Sequence, residues 1–232
     1  MSDALPPSVI VVGATGGLGR PIAALLAASG ARLTLVGRDE ARLAACDVPG
    51  ECVAVDIRLA ASPARVVDAA VAAYGGIDGI VYAAGAVAFG AVDELPDEVM
   101  IDLFTLNTLA PIRLLRAALP ELRRSASEKR DPFVAHISAV VAEQPQAGMA
   151  AYSASKAALA AFDAAAAREL RREGIRLIDM RPPHTETGLA DRPLSGTAPR
   201  LPQGLDPQAV AKRIVDAIAQ DEKDVPSTAF SS

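Results

Sequence analysis

The chain has 232 residues, 51% of them hydrophobic, with a formal net charge of −5. That length and apolar content suit one α/β domain with a sizeable core. Mild acidity argues against a nucleic-acid partner, because the densest basic cluster, Arg123-Arg124 with Lys129-Arg130, is broken by Ser, Ala and Glu.

Val9 to Val12 is a continuous β-branched run that ends at glycines, the pattern of a buried parallel strand. Gly19 to Ser29 follows as an amphipathic helix with Gly30 as its stop signal. Arg32 to Val36 is a second strand, Asp39 to Ala45 a second helix and Glu51 to Val55 a third strand. Pro63 to Tyr74 is helical, with Val66, Val67, Ala70 and Val71 on one face, and Asp78 to Tyr82 is a fourth strand. Pro96 to Leu119 reads as one long helix, kinked at Pro111, because proline lacks the amide hydrogen and clashes with the preceding turn. Pro132 to Ile137 is a fifth strand, Ala151 to Glu173 a long helix and Ile175 to Met180 a sixth strand. Arg181 to Gly204 is rich in proline and aperiodic, as substrate lids and binding loops often are. Pro207 to Gln220 returns to helix, and Asp224 to Ser232 has room for one short strand at best. Strands alternating with helices, without repeats or a second domain, give an α/β doubly wound parallel sheet of about six or seven strands.

Cys46 and Cys52 are the only cysteines, and neither has a His or second Cys at metal-ligand spacing. Two reduced thiols in a cytoplasmic protein, with no metal, is the expectation. Met1 to Ser8 lacks a basic segment followed by an apolar run, so no signal peptide is expected. The apolar tract from Ala69 to Val92 is interrupted by Gly75-Gly76, Asp78 and Gly79, which argues against a membrane span.

Two motifs carry chemistry. Gly13-Ala14-Thr15-Gly16-Gly17-Leu18-Gly19 stands where a strand turns into a helix, and there backbone must approach a pyrophosphate closely. Tight strand–helix turns use glycine anyway, so the turn gains weight from its flanking strand and helix. Tyr152-Ser153-Ala154-Ser155-Lys156 puts a phenol and an ammonium one helical turn apart. An ammonium near a phenol favours the phenolate, so a lowered Tyr152 pKa is expected. Tyr and Lys at this spacing also occur on many surface helices; together with the glycine turn they suggest hydride and proton transfer at a carbonyl.

With these residues the chain resembles the short-chain dehydrogenase/reductase family, over roughly residues 8 to 220. The spacing Gly13-x-x-x-Gly17-x-Gly19 matches that family's cofactor turn, although Val12 replaces its Thr. The resemblance implies a single Rossmann-type domain over 1–232 that binds a nicotinamide dinucleotide, with a substrate lid at 181–204. It implies cofactor contacts at Gly13, Thr15, Gly17, Leu18 and Gly19, at Asp56 beside the adenine, and at Ala84 and Gly85. Ala83-Ala84-Gly85 matches the family's Asn-Asn-Ala-Gly in its last two residues only. Asn107, Tyr152 and Lys156 fall where three of the family's four catalytic residues fall. Tyr152 and Lys156 also hold the nicotinamide ribose, and Thr187 lies near the ring. Pro182, Pro183 and Thr187 resemble Pro-Gly-x-x-x-Thr, with Pro183 in place of glycine.

The fourth catalytic residue, a Ser thirteen positions before the Tyr, is Ala139 here, with Ser138 one residue earlier. Neighbouring strand residues point to opposite sides, so Ser138 serves only if the loop from Ala139 to Met149 shifts the backbone. Ser138 as the catalytic serine and a site without this donor both stay open. At the tip of the second strand stand Gly37 and Arg38 rather than an acid, and a guanidinium suits the 2′-phosphate of NADP. NADP(H) is preferred and NAD(H) remains possible, since Asp39 or Glu40 offers a carboxylate for a ribose. Candidate substrate contacts are Gln144 and Met149 in the loop before the tyrosine, and His184 after the proline pair. The partners implied are a small-molecule carbonyl or alcohol and a second copy of the chain, in a homodimer or homotetramer, paired through the helices at 96–119 and 151–173. A reductase or dehydrogenase with Tyr152 as proton donor is the first hypothesis. A dinucleotide-binding sensor or scaffold, motivated by Ala139 and Pro183, is the alternative.

Overall fold

In a computed structural model, residues 7–230 are described. The expectation for Met1 to Ser8 therefore falls mostly outside the described residues, as do the last two positions of the tail. Seven strands form one sheet in the order β3-β2-β1-β4-β5-β6-β7, with every pair parallel. They are β1 (Ser8–Val12), β2 (Arg32–Gly37), β3 (Glu51–Ala54), β4 (Gly79–Tyr82), β5 (Phe133–Ile137), β6 (Arg176–Met180) and β7 (Asp224–Val225). The central strands β1, β4 and β5 are buried at every position, because helices cover both faces.

Two cores result. On one face Val9, Val11, Ala135, Ile137 and Ile178 pack with helix α1 (Gly19–Ala28) and helix α7 (Pro207–Ala219). On the other, Ile10, Val12, Ile80, Val134 and Leu177 pack with α3 (Ser62–Tyr74), α5 (Ala110–Ser127) and α6 (Ala150–Leu170). A short helix, α2 (Glu40–Ala44), is capped by Asp39, whose carboxylate accepts from the Arg42 amide at 3.0 Å.

The long helix expected over Pro96 to Leu119 is two helices, α4 (Asp97–Phe104) and α5, joined by a π-helical turn at Thr105–Leu109. The irregularity falls one turn before Pro111, where its ring crowds the carbonyl of residue 107. The helix also runs eight residues beyond Leu119, to Ser127, and accommodates Pro120. The tail contains the one short strand that the sequence allowed, β7, paired with the end of β6. Arg181 to Gly204 forms no strand or helix, apart from a bridge between Thr185 and Leu205. Its tip is fastened over the segment after β4: Leu194 N donates to Val87 O at 2.8 Å and Phe89 N to Ser195 O at 2.9 Å.

Candidate active site

The glycine turn has little freedom for side chains. A Cβ at Gly19 would lie 2.0 Å from the Gly13 carbonyl oxygen, and one at Gly13, where φ is +81°, would lie 2.8 Å from Ala84 N. At Gly17 it would meet the Thr187 Cβ at 2.6 Å, so the segment after β6 closes directly onto the turn. The turn leads into α1, whose first turn has no acidic residue and no side-chain cap. Such an N-terminus offers free amides and the positive end of a dipole, which fits the pyrophosphate of a dinucleotide. Thr15 and Leu18 are half-buried in this turn.

Around the far end of that turn stand several arginines. Arg38 is exposed after β2, and Arg42 Nη2 donates to the Thr15 carbonyl at 3.0 Å. Asp39, an alternative ribose ligand in the sequence, is engaged as the α2 cap. Asp56 receives Arg58 Nη2 at 2.7 Å, and Arg58 in turn reaches Asp102 on α4. Hydrogen bonds from Arg58 hold the Asp56 carboxyl below the usual carboxylate range. Any contact of Asp56 with an adenine therefore starts from a carboxylate already braced by Arg58.

Asn107, Gly85 and Lys156 converge. Asn107 sits in the π turn, buried, with Oδ1 accepting from Ala86 N at 2.9 Å and Nδ2 donating to Ala86 O at 2.9 Å and to Ser155 Oγ at 3.0 Å. A Cβ on Gly85 would lie 3.4 Å from Asn107 Oδ1 and 3.5 Å from Lys156 Nζ. The extra residue of the π turn thus aims Asn107 at the segment after β4, locking it against the helix that bears the lysine. Lys156 Nζ donates to the Ile137 carbonyl at 2.8 Å. Ala84 neighbours this junction as a half-buried member of the second core.

Tyr152 is 7% exposed and packs in a third cluster with Ala86, Val87, Phe89, Leu103, Ala139 and Val141. Leu189, Ala190 and Ala198 of the 181–204 segment cover it. Burial pushes the phenol up to about 12, opposite to the lowering expected from the sequence. The reason is that the apolar cluster disfavours a phenolate, while the lysine's amine is directed to the Ile137 carbonyl. Burial pushes Lys156 down to about 8, opposed by the charge of Asp179.

Ser138 does not join this cluster. It shares a sheet face with His136, two residues earlier, and its Oγ donates to Asp179 Oδ1 at 2.5 Å. The loop supplies no compensating shift, and Ala139 is the residue packed with Tyr152. Of the expected substrate contacts, Met149 packs against the Tyr152 cluster. Gln144 is exposed, and its carbonyl accepts from Gln146 Nε2 at 3.1 Å. His184 lies 3.5 Å from Glu186, which accepts from Gly204 N and so ties the base of the covering segment. An apolar cavity of about 270 Å³ lies nearby, lined by Phe89, Val92, Met100, Phe104, Met149 and Ala154, but not by Tyr152.

Sequence reasoning missed Asp179, Arg42 and Arg58. Asp179 had a visible signal, a carboxylate inside the apolar strand run Leu177-Ile178-Asp179-Met180. Arg42 and Arg58 had none, since arginine in loops and short helices is commonplace.

Comparison with known proteins agrees with this geometry. Residues 7–195 match the short chain dehydrogenase family. A protein of Streptomyces violaceoruber, named as a ketoacyl reductase of the granaticin polyketide synthase, is 36% identical over 82% of this chain and 71% of its own. Ipsdienol dehydrogenase of Ips pini is 29% identical over 79% of this chain and 76% of its own. A short-chain dehydrogenase structure from Streptomyces avermitilis superposes with a TM-score of 0.83 at 28% identity, over 99% of this chain and 90% of that one. At 20% identity, the NADH complex of a Brucella melitensis 3-ketoacyl-(acyl-carrier-protein) reductase matches the fold, with a TM-score of 0.86 over 98% of this chain and 100% of that one. Turn, sheet and Tyr152–Lys156 helix thus coincide with a match over most of the sequence: the chain belongs to the short-chain dehydrogenase family and is an oxidoreductase that uses a nicotinamide dinucleotide.

Proposed function

We propose that this oxidoreductase interconverts a carbonyl and an alcohol on a small molecule, with NADP(H) preferred over NAD(H). The observation that carries the reading is the convergence of Asn107, Gly85 and Lys156 one helical turn from the buried Tyr152. A bound nicotinamide would supply the hydride for the carbon, or accept it in the reverse direction. Tyr152 gives the proton to the substrate oxygen. A phenol pushed up to about 12 by burial carries its proton at neutral pH but gives it up reluctantly, so donation needs the lysine charge to stabilise the phenolate left behind. Lys156 grips the ribose and carries the positive charge beside the phenol. Asn107 fixes the segment after β4 against α6, and Thr187 closes on the glycine turn.

Ala139 offers no hydroxyl to the substrate oxygen, and Ser138 is engaged by Asp179, so Tyr152 is the sole side-chain donor in this mechanism. The apolar walls around it, with Met149 among them, suit an uncharged carbonyl. Gln144 and His184 contribute at the rim. The NADP preference rests on Arg38, with Arg42 anchored to the turn at Thr15 as a second guanidinium. The segment 181–204 acts as the lid of this single domain. Exposed Met100, Ile101 and Leu109, beside the alanine face of α6, suit pairing of two copies. Among the described residues no helix is long and apolar enough to cross a membrane.

The test is Tyr152→Phe, assayed by NADPH oxidation over a panel of uncharged ketones and aldehydes, with nucleotide binding measured in parallel. Turnover is expected to fall about 100-fold or more while nucleotide affinity stays within a few-fold. Full turnover in the variant, or tight nucleotide binding by the parent with no turnover on any compound, overturns the mechanism.

A further inference from the structure

Behind the helix that bears Tyr152 and Lys156, the ends of β5 and β6 carry ionisable groups inside an otherwise apolar layer. Asp179 lies between Ile178 and Met180 and is 6% exposed. Its Oδ1 accepts the Ser138 hydroxyl, and its Oδ2 is bound by Arg181. Ser138 directly follows Ile137, whose carbonyl accepts Lys156 Nζ. Two consecutive residues therefore hold the lysine amine, through a carbonyl, and the carboxylate, through a hydroxyl. Lys156 is 4% exposed, and an ammonium so buried without a counter-charge reverts to the neutral amine.

The geometry points to Asp179 as a positioning residue that keeps Lys156 in its charged form. Burial pushes the lysine down and the Asp179 charge opposes that, the direction this role requires. The other ionisable groups in this layer do not replace it. Tyr152, on α6, is a neutral phenol. Asp163, also on α6, is hydrogen-bonded to His136 of β5 at 2.8 Å, with both side chains buried. Burial pushes the Asp179 carboxyl up, hydrogen bonds from Ser138 and Arg181 oppose that and favour its charged form, and Arg181 is itself shared among Glu143, Asp179 and Asp224. Asp179 is the member tied to the Ile137–Ser138 unit that holds the lysine. The catalytic consequence rests on the role proposed for Lys156; the coupling of charges does not.

The experiment is a pH titration of the full chain with 13Cε-labelled lysine, read by NMR. Lys129, Lys156, Lys212 and Lys223 are the only lysines, and all except Lys156 are exposed. In the parent the Lys156 resonance is expected to titrate at about 8. In Asp179→Asn its midpoint is expected roughly one unit or more lower, a tenfold change in proton affinity. Ser138→Ala keeps the carboxylate, so its midpoint stays within about half a unit of the parent. A midpoint that does not move in Asp179→Asn overturns the inference; if that variant does not fold, Asp179→Ser carries the same expectation, and an unmoved midpoint there overturns it equally. Turnover of Asp179→Asn is expected to drop about fivefold or more at pH 8 and to recover toward about pH 6.5. A shifted resonance with unchanged turnover upholds the coupling and removes Lys156 from the mechanism.

Discussion

The two ends of the sheet's central crevice differ in what fixes them. The nucleotide side, from β1 through the glycine turn to α1, is fixed by backbone: Gly13, Gly17 and Gly19 leave no room for a side chain against Ala84, Thr187 and Gly13. The substrate side, at the ends of β5 and β6, is fixed by side chains from distant stretches of sequence, with Ser138, Asp179, Arg181, Glu143 and Ser227 in one hydrogen-bonded group. Backbone-fixed sites tolerate almost no change of residue, whereas a side-chain network can exchange members and retune charge. The chain departs from the family pattern on both sides: the side chains of Val12 and Ala83 flank the turn without entering its tight contacts, whereas Ala139 and Pro183 stand on the second side.

The sharpest way to break this contrast is within the turn itself. Gly19→Ala puts a methyl 2.0 Å from the Gly13 oxygen, and rigid backbone on both sides cannot yield. The expected cost is about 3 kcal/mol or more, with loss of nucleotide binding. Gly16→Ala meets only the Gly13 oxygen, at 3.1 Å, and is expected to cost about 1 kcal/mol or less. Urea melts and nucleotide titrations of both variants check this. Equal losses in the two would mean that glycine flexibility, rather than clearance, governs the turn.

The same contrast explains what the sequence disclosed. Apolar runs ending at glycine mark β1 and β4 because a buried parallel strand must be apolar on both faces. The turn is legible because only glycine fits it. Asn107 is harder: its motif position is visible, but the π turn that aims it arises from Pro111 four residues later. Strand alternation already placed Ser138 and Ala139 on opposite sides, and the structure follows that rule without a compensating shift. The Asp179 node was not legible as a group, since residues bonded to each other in it lie as far as 84 positions apart, as Glu143 and Ser227 do. The clasp of Leu194 and Ser195 on Val87 and Phe89 is made by backbone groups, which carry almost no sequence signature.

On the substrate side the largest expected effect is electrostatic. The folded pKa of Lys156, about 8, lies below its unfolded value of 10.5, so between those pH values the unfolded chain binds more protons. Stability contributed by this residue therefore rises with pH across that window and is lowest below about 8. The full span is about 3 kcal/mol. Denaturation of the parent and of Lys156→Met at pH 8 and pH 10 isolates it, since other groups, including the Cys46 thiol raised by burial, cancel in the difference. Parallel stability curves for the two proteins would show that the lysine is not desolvated as described.

Ala139→Ser sharpens the contrast from the opposite direction, by adding a donor where Tyr152 packs. The residue is extended, with φ −177° and ψ 163°, so serine enters without backbone strain. A hydroxyl aimed at the substrate oxygen is expected to raise kcat by about 10- to 100-fold. The same hydroxyl, buried without substrate, is expected to lower stability by about 1–2 kcal/mol. A gain in kcat without the stability loss would indicate that the new hydroxyl already has a partner in the free enzyme.

The smallest effect belongs at the junction of the two regions, where Arg38 follows β2 and Arg42 is bonded to the turn at Thr15. Arg38 is an exposed side chain rather than part of the rigid turn, so its removal leaves the backbone intact. Arg38→Ala is expected to weaken NADPH about tenfold and NADH less than twofold, because a guanidinium in water gains little over about 1–2 kcal/mol from one phosphate. Arg42→Ala also frees the Thr15 carbonyl, so a modest loss for both nucleotides is expected in addition to the NADPH-selective loss. Isothermal titration with each nucleotide separates the two. Equal weakening of NADPH and NADH by Arg38→Ala would remove the basis for NADP preference, leaving Glu40 as the remaining ribose ligand at the end of β2, since the Asp39 carboxylate caps α2.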